Sequence, residues 1–396
     1  MYCSLYIAPY TFLSHPLSTI HCHCPLSLTT VRSENEIQRF CQSYMTELSK
    51  YIGPDIDLPG MGEGCGPTEI GYLYGQYKRI NQHCGQNGKG LLWGGSPGAA
   101  VHAQGMGIAY FAKKMLADKG MSLEGKRCLV TGSNATALAL AEKLTELGAI
   151  PLTFSDTSGF IYEPMGFDAA KVKTVQKIKA ERGARVGRYI IASTAAKFNE
   201  PGSIYDIPCD LVFSCSRDVA LRIDDAHVAA LASNGCMGFV EGVALGMTNA
   251  AMVAAKKRGM LHAPYKVRGG VRWGCGGGCE CGYCYCRREM RQASLRCGLM
   301  LSLIFSFSHH PATPFFLAQA TTVGGSIFNG MNAGSEPLQL HAGETLDSRV
   351  EGTMADVYDE IKNTAKEFNT RGDLNAGANI AAFLRVADVM LAHGSV

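Results

Sequence analysis

The sequence predicts an α/β protein built on a doubly wound parallel sheet, flanked by helices that belong to another lobe and followed by C-terminal helices. Strand and helix patterns alternate over about 140 residues, which is typical of parallel strands joined by crossover helices. A glycine turn directly follows the first buried strand. The 396 residues are 46% hydrophobic and 18% charged, so the chain can bury a large core and extensive disorder is excluded.

Three helices are predicted before the sheet begins. Ser33 and Glu36 have the spacing of a capping box, and apolar residues recur at helical intervals over 37–48. A second amphipathic helix is predicted at 70–80, and a third passes through 110–115.

The central region alternates between strand and helix patterns. The apolar run Arg127–Thr131 is typical of a buried parallel strand, Gly132 turns the chain, and a helix is predicted at 137–147. The next strand is predicted at 151–154, with Asp156 just beyond its carboxyl end. Further strands are predicted at 189–192, 211–213, 237–240 and 260–262, and further helices at 169–181, 224–233, 248–258, 348–369 and 378–393.

The turn after the first strand has the position of a dinucleotide-binding fingerprint. It contributes Gly132, Ser133, Asn134 and Ala135 to the start of a helix, and in such domains the helix amino terminus stabilises a pyrophosphate. The fingerprint requires glycine where Asn134 lies, because a side chain there hinders the approach of the phosphates, although asparagine tolerates left-handed backbone angles. Cofactor binding is therefore one interpretation, and a turn without a ligand is the other.

The acidic residue expected on the cofactor ribose, about 20 residues further on, is Asp156, with Thr157 beside it. Asp156 is equally interpretable as a turn residue at the end of a strand. The choice between NAD and NADP stays open: an aspartate disfavours a 2′-phosphate, but the hydroxyls of Ser155, Thr157 and Ser158 could donate to one.

Two segments differ in composition from the rest of the chain. Residues 267–319 hold six of the 16 cysteines and six arginines, and residues 1–33 hold three cysteines and a single charged residue, Arg32. The net charge of +3 therefore comes from these segments and indicates no nucleic-acid-binding stripe. The other seven cysteines have no spacing pattern, which indicates reduced thiols in a soluble intracellular protein of undecided compartment. No apolar run reaches the ~18 residues that a membrane span needs.

The cysteine cluster at 275–286 has two interpretations. Only Cys281 and Cys284 have the Cys-x2-Cys spacing of a structural zinc site, so no metal site is predicted. The segment 267–319 begins and ends with residues that splice-site nucleotides can encode, and a pyrimidine-rich tract could encode 301–317. Translated non-coding sequence is the favoured interpretation, and a zinc-binding insertion is the alternative.

Long stretches of the chain resemble hexameric glutamate dehydrogenases, from residue 33 to residue 396 once 267–319 is left out. The stretches are SENEIQRFCQSYMTEL at 33–48, EIGYLYGQYKRI at 69–80, GKGLLWGGS at 88–96, LVTGSNATALALAEKLTELGA at 129–149, SDTSGFIY at 155–162 and GANIAAFLRVADVMLAHG at 377–394. Joining Lys266 to Ala320 gives KATTVGGSIFNG, which resembles the family's segment entering its long connecting helix.

The resemblance implies a substrate lobe, a cofactor lobe and a homo- or hetero-hexamer, with no nucleic-acid or membrane partner. It implies the reversible oxidative deamination of L-glutamate to 2-oxoglutarate and ammonia with NAD or NADP. The implied organisation is a non-homologous segment at 1–33, the remnant of a substrate and oligomerisation domain at 34–97, a Rossmann-like dinucleotide-binding domain at 98–266, a Cys/Gly-rich insertion at 267–319 that is expected to be disordered, and connecting and C-terminal helices at 320–396.

The positions that carry the family's chemistry are altered. The family's catalytic aspartate falls on Gly62, with Glu63 beside it but out of register, and residues 1–33 contain no counterpart of the catalytic lysines. PGAAVHAQ at 97–104 replaces the family's Arg-Pro-Glu-Ala-Thr, and Arg217-Asp218-Val219 replaces Thr-Gln-Asn. Single departures are Ala244, Thr322 and Asn329. No catalytic residue is therefore assigned, and His102 and Glu63 are polar candidates without a motif.

Three hypotheses on function follow. The first is an active glutamate dehydrogenase whose lysine-bearing segment belongs to an upstream exon, although no upstream exon would repair Gly62. The second, which is favoured for the mechanism, is a non-catalytic paralogue that serves as a scaffold or regulatory subunit in a hexamer, and the third is a zinc-binding insertion module. The family assignment remains a glutamate dehydrogenase-family oxidoreductase, with this chain predicted to be impaired or inactive. The departures favour impairment over full activity, because loss of one general acid–base group lowers a rate by about 10²–10⁴-fold.

Overall fold

The computed structural model describes residues 33–52, 65, 67–81, 97–181, 183–200, 204–216, 218–243, 246–265 and 345–394. The predictions for residues 1–32 and 267–319, including the cysteine cluster and the junction at Lys266, lie outside these ranges. The six cysteines within them are all buried free thiols, in agreement with the sequence prediction. No described helix combines the length and the apolar character needed to cross a membrane.

A small helical unit comes first in the chain. It consists of α1 (Glu34–Leu48) and α2 (Pro67–Ile80), which bury a shared apolar cluster that includes Met45 and Leu73. The predicted capping box is present: the Glu36 amide donates to the Ser33 hydroxyl, and the Ser33 amide donates to the Glu36 carboxylate at 2.9 Å. It fixes the start of α1 by satisfying amides that have no partner inside the helix.

The second unit is the α/β domain. Its elements are α3 (Pro97–Ala117), β1 (Arg127–Thr131), α4 (Ala135–Glu146), β2 (Ile150–Pro151), β3 (Thr153–Asp156), β4 (Gly159–Tyr162), α5 (Ala169–Ala180), β5 (Lys197–Asn199), β6 (Leu211–Ser214), α6 (Asp225–Ser233), β7 (Gly238–Glu241), α7 (Asn249–Lys257), β8 (Leu261–Ala263) and α8 (Leu346–Glu367). The last helix, α9 (Leu374–His393), belongs to this unit up to Val386. A 3₁₀ helix spans Val186–Ile191.

Five parallel strands form the central sheet in the order β2-β1-β6-β7-β8. Successive residues of β1 face opposite sides: Cys128 and Val130 join the core under α3, α4 and α8, whereas Leu129 joins the core under α6 and α7. Helices cover both faces, which explains why the strands are apolar throughout. The predicted doubly wound sheet is confirmed.

Two sequence predictions were wrong. Residues 153–156 do not continue β2 in the parallel sheet: they pair with β4 in a separate antiparallel sheet, β3-β4-β5, and Asp156 is the last residue of β3 rather than a residue beyond the strand. The run 189–192, predicted as a strand, falls in the 3₁₀ helix Val186–Ile191 and the residue after it. Its burial has a period of three, since Val186 and Tyr189 are buried while Ile191 is 91% exposed.

Helix α8 packs against α3, although the two helices are far apart in sequence. The Phe111 and Tyr358 rings meet edge to face with their centroids 5.5 Å apart. Lys113 Nζ donates to Glu351 at 2.6 Å, and the Tyr358 hydroxyl donates to Asp118 at 3.1 Å. Residues about 240 positions apart therefore hold one side of the domain together.

Gly105 allows α3 and α4 to cross closely. A Cβ atom at this position would lie 2.6 Å from the Leu140 nitrogen and 2.7 Å from the Ala139 Cβ, both on α4. No side chain fits there without separating the helices, and α4 leads directly from the glycine turn after β1.

We predict that Gly105→Ala destabilises the α/β domain by about 1–3 kcal/mol, because the added methyl group overpacks the α3–α4 contact. Urea unfolding followed by circular dichroism would measure the change. Gly352→Ala in α8 is the matched control: nothing lies within 4 Å of the added Cβ, and alanine favours the helix. Equal stability of the two variants would contradict the close crossing.

Candidate functional site

The strand order reverses between β1 and β6, and the carboxyl ends of these two strands are called the crevice here. The chain leaves β1 through α4 to reach β2 on one side, and the neighbour on the other side is β6. Open α/β sheets bind ligands at the carboxyl ends of the strands where the order reverses in this way. Thr131 and Gly132 therefore face Ser214 and Cys215 across this point.

Gly132 holds the two sides of the crevice close together. Its φ is +88°, and a Cβ atom would lie 3.0 Å from the carbonyl oxygen of Cys215, so only glycine fits without strain. The Gly132 amide donates to the Ser155 hydroxyl at 2.7 Å, and the Cys215 amide donates to the Thr131 hydroxyl at 3.1 Å. Gly132 therefore forms the tight turn between β1 and α4.

Asn134, at the position of the second fingerprint glycine, is the N-cap of α4. Its Oδ1 accepts from the Ala137 amide at 2.8 Å, and its Nδ2 donates to the Cys215 carbonyl at 2.8 Å. Its backbone is extended, with φ −73° and ψ 170°, so no glycine is needed there for conformation. Ser133 is buried, whereas Asn134 and Ala135 are exposed, so the helix end faces solvent with the Asn134 side chain on it.

The carboxylate of Asp156 is engaged by its own surroundings. One oxygen accepts from the Ser158 amide and hydroxyl, and the other accepts from the Val186 amide at 2.8 Å. Burial raises the pKa of this carboxyl, but the bonds from Ser158 and Val186, together with the Lys179 ammonium at 3.7 Å, outweigh burial and hold the pKa below its ordinary value. Asp156 thus ties the β3–β4 turn to the 3₁₀ helix, which matches the turn interpretation of this residue.

Two cations adjoin Asp156 and Thr157 at the end of β3. Lys179 lies near Asp156, and the Arg185 guanidinium donates to the Thr157 hydroxyl. Arg185 is exposed, so its remaining donors face solvent. The sequence predictions did not include these two residues, because Lys and Arg on helix ends and loops are common and no motif marks them.

The other residues considered from the sequence do not gather here. His102 on α3 is half exposed, with its ring nitrogen 4.0 Å from a Glu142 oxygen. Asp218 accepts from the Ala220 amide in a short turn. Gly62, Glu63, Arg217, Ala244, Thr322 and Asn329 lie outside the described residues. Within the described ranges, no three His, Cys, Asp or Glu side chains form an arrangement that could hold a metal ion.

The parallel sheet covered by helices on both faces places the second unit in the class of Rossmann-like α/β domains. Residues 94–273 match the family model described as "Glutamate/Leucine/Phenylalanine/Valine dehydrogenase". Residues 29–79 match the family model described as "Glu/Leu/Phe/Val dehydrogenase, dimerisation domain".

Known proteins give the same result. The NADP-specific glutamate dehydrogenase of Chlorella sorokiniana is 33% identical over 371 residues, which cover 92% of this chain but only 60% of that protein. The Helicobacter pylori J99 enzyme of the same name is 33% identical over 376 residues, which cover 92% of this chain and 70% of that protein. The solved structure of Plasmodium falciparum glutamate dehydrogenase 2 matches with a TM-score of 0.67 at 33% identity, over 93% of this chain and 69% of that one.

The chain belongs to the glutamate dehydrogenase family.

We predict that Asp156→Asn lowers the free energy of unfolding at pH 7 by about 2 kcal/mol, because bonds to an ionised carboxylate are lost. The folded-state pKa lies below the unfolded value of about 3.9, so the contribution is complete above that pH and disappears as the pH falls through the folded-state pKa. Urea unfolding at pH 7, 5, 4 and 3 would measure both effects.

Asp225→Asn, which alters an exposed carboxylate on α6, is the control and should show little difference at any of these pH values. A difference between wild type and Asp156→Asn that persists unchanged at pH 3 would contradict this account of the carboxylate.

Proposed function

We propose that the chain is an NADP-binding member of the glutamate dehydrogenase family whose turnover is impaired or absent. The family reaction converts L-glutamate, NADP⁺ and water to 2-oxoglutarate, ammonia and NADPH. The observation that carries the proposal is the β1–Gly132–α4 turn, where the backbone approaches Cys215 as closely as a dinucleotide site requires. The exposed Arg185 at the end of β3 supports it.

The cofactor would extend from the crevice towards the end of β3. The turn residues Gly132, Ser133, Asn134 and Ala135 would face the pyrophosphate, and Asp156 and Thr157 would lie at the adenosine ribose. Since both oxygens of Asp156 already accept hydrogen bonds, this carboxylate is poorly placed to bind a free ribose hydroxyl. The exposed Arg185 complements a 2′-phosphate instead, and this favours NADP over NAD, whereas Lys179 is engaged by Asp156 and the Ala184 carbonyl.

The names of the matched relatives support the same choice, because the Chlorella and Helicobacter proteins are both called NADP-specific. The proposed organisation keeps the boundaries derived from the sequence, with residues 34–97 in a substrate and oligomerisation domain and residues 98–266 in the cofactor domain. The match of residues 29–79 to a dimerisation domain supports the first of these, and assembly into a hexamer is part of the proposal.

The proposal that turnover is impaired rests on residues of this chain that fall on the family's catalytic and binding positions. When bound, NADP supplies a hydride acceptor, and the protein must supply proton transfer. Gly62 lies at the position of the family's catalytic aspartate and has no side chain that could move a proton. Altered residues at 217–219 and 322 fall on further positions of the family's site. His102, which is half exposed near Glu142, offers no replacement.

We predict that Arg185→Ala raises the Kd for NADPH about tenfold and leaves the Kd for NADH unchanged, because only the 2′-phosphate loses a partner. Titration monitored by nicotinamide fluorescence would measure both constants. Arg188→Ala is the matched control, because Arg188 is an exposed arginine that pairs with Glu181 on the same stretch of chain. Equal losses for NADPH and NADH would remove the argument for NADP.

A second candidate function is a non-catalytic subunit within a hexamer. The match to a dimerisation domain favours it, as do Phe383, Met390 and Leu391, three exposed apolar side chains along α9. Such a subunit needs its contact surfaces and no chemistry.

We predict that the purified chain oxidises NADPH with 2-oxoglutarate and ammonium at least about 100-fold more slowly than a family enzyme with an intact aspartate, because a general acid–base group is lost. Native mass spectrometry of the chain, alone and co-expressed with an active glutamate dehydrogenase, would give its assembly state. Turnover within tenfold of the active enzyme would refute impairment. A monomer in both samples would refute the subunit role.

A further inference from the structure

The second fingerprint position is where this chain departs from a free dinucleotide site. In such domains the pyrophosphate lies against the amino end of the helix that follows the first strand, because backbone amides there have no partner within the helix. In this chain the Asn134 side chain already accepts from one of those amides, that of Ala137, at 2.8 Å.

The same side chain also crosses the crevice. Its Nδ2 donates to the Cys215 carbonyl at 2.8 Å, so one residue links the start of α4 with the loop that follows β6. These are the two walls between which a dinucleotide enters. The side chain is exposed, and therefore lies on the solvent side from which the phosphates approach.

The backbone conformation at position 134 requires neither glycine nor asparagine. The φ of −73° is open to any residue, in contrast to the +88° of Gly132. The two glycine positions of the fingerprint therefore have separable roles. Glycine at the first position is needed to form the turn, and glycine at the second position is needed only to leave room for a ligand. Asparagine at the second position preserves the fold and changes what the site can bind.

We infer that Asn134 competes with the cofactor pyrophosphate for the amino end of α4, so that NADP binds only when this side chain leaves both Ala137 and Cys215. The inference rests on the proposed NADP site and deepens it by naming the residue that sets its affinity. The apparent Kd for NADP rises as more molecules have the Asn134 side chain bonded to Ala137 and Cys215, because only the remaining molecules bind the cofactor.

The test is the Kd for NADPH of the full chain, wild type against Asn134→Gly, measured by calorimetry. Glycine is a good N-cap, so the variant loses little stability. It removes two hydrogen bonds that close the crevice, and we expect it to bind NADPH about tenfold more tightly. The readout is binding alone and does not depend on turnover.

Two further variants complete the design. Asp168→Gly removes the corresponding N-cap of α5, where Asp168 accepts from the Lys171 amide, and should leave the Kd unchanged. Asn134→Ser keeps an N-cap oxygen but is too short to bridge to Cys215, and it should bind with intermediate affinity. It decides the question if thermal unfolding shows that Asn134→Gly does not fold.

The outcomes separate the inference from the function on which it rests. Tighter binding by Asn134→Gly, with Asp168→Gly unchanged, supports competition by Asn134. Equal affinity of wild type and Asn134→Gly overturns the inference and leaves the NADP site intact. Absence of NADPH binding in both folded proteins overturns the NADP site, and the inference with it.

Discussion

The contact between Gly132 and Cys215 is the constraint on which the rest of the α/β domain depends. The parallel neighbours β1 and β6 are separated in sequence by a whole crossover and a second sheet. Their carboxyl ends nevertheless lie so close that a Cβ atom on Gly132 would be 3.0 Å from the Cys215 carbonyl oxygen. This approach sets the direction in which α4 starts, and α4 in turn needs Gly105 to pass beneath α3. The turn at Gly132 and the helix crossing at Gly105 each depend on the absence of a Cβ atom.

The two polar side chains at the fingerprint positions satisfy the protein's own backbone. Asn134 bonds to Ala137 and Cys215, and Asp156 bonds to Ser158 and Val186. Lys179 is engaged in the same way by Asp156 and the Ala184 carbonyl, whereas the start of α4 and Arg185 are exposed. At the start of α4, the Asn134 side chain is therefore bonded to the protein's own backbone, whereas at the end of β3 the charge of Arg185 is exposed to solvent.

Local signals predicted most of the fold. The capping box at Ser33, the strand Arg127–Thr131 and the helix after Gly132 each depend on neighbouring residues, and each is present. The separate antiparallel sheet was missed because β3 pairs with a hairpin partner rather than with β1, and an apolar run cannot indicate its partner. The motif correctly placed Gly132 and Asn134 in the turn between β1 and α4. The contact of Arg185 with Thr157 spans 28 residues and has no sequence pattern.

The packing of α8 on α3 has a consequence for biosynthesis. Phe111 and Lys113 leave the ribosome about 240 residues before Tyr358 and Glu351, their partners. At a synthesis rate of about 5–20 residues per second, the α3 surface waits uncovered for on the order of 10–50 s. During that interval the nascent domain presents an apolar helix face without its covering helix. The α3 surface is therefore covered only after Leu346–Glu367 has been synthesised.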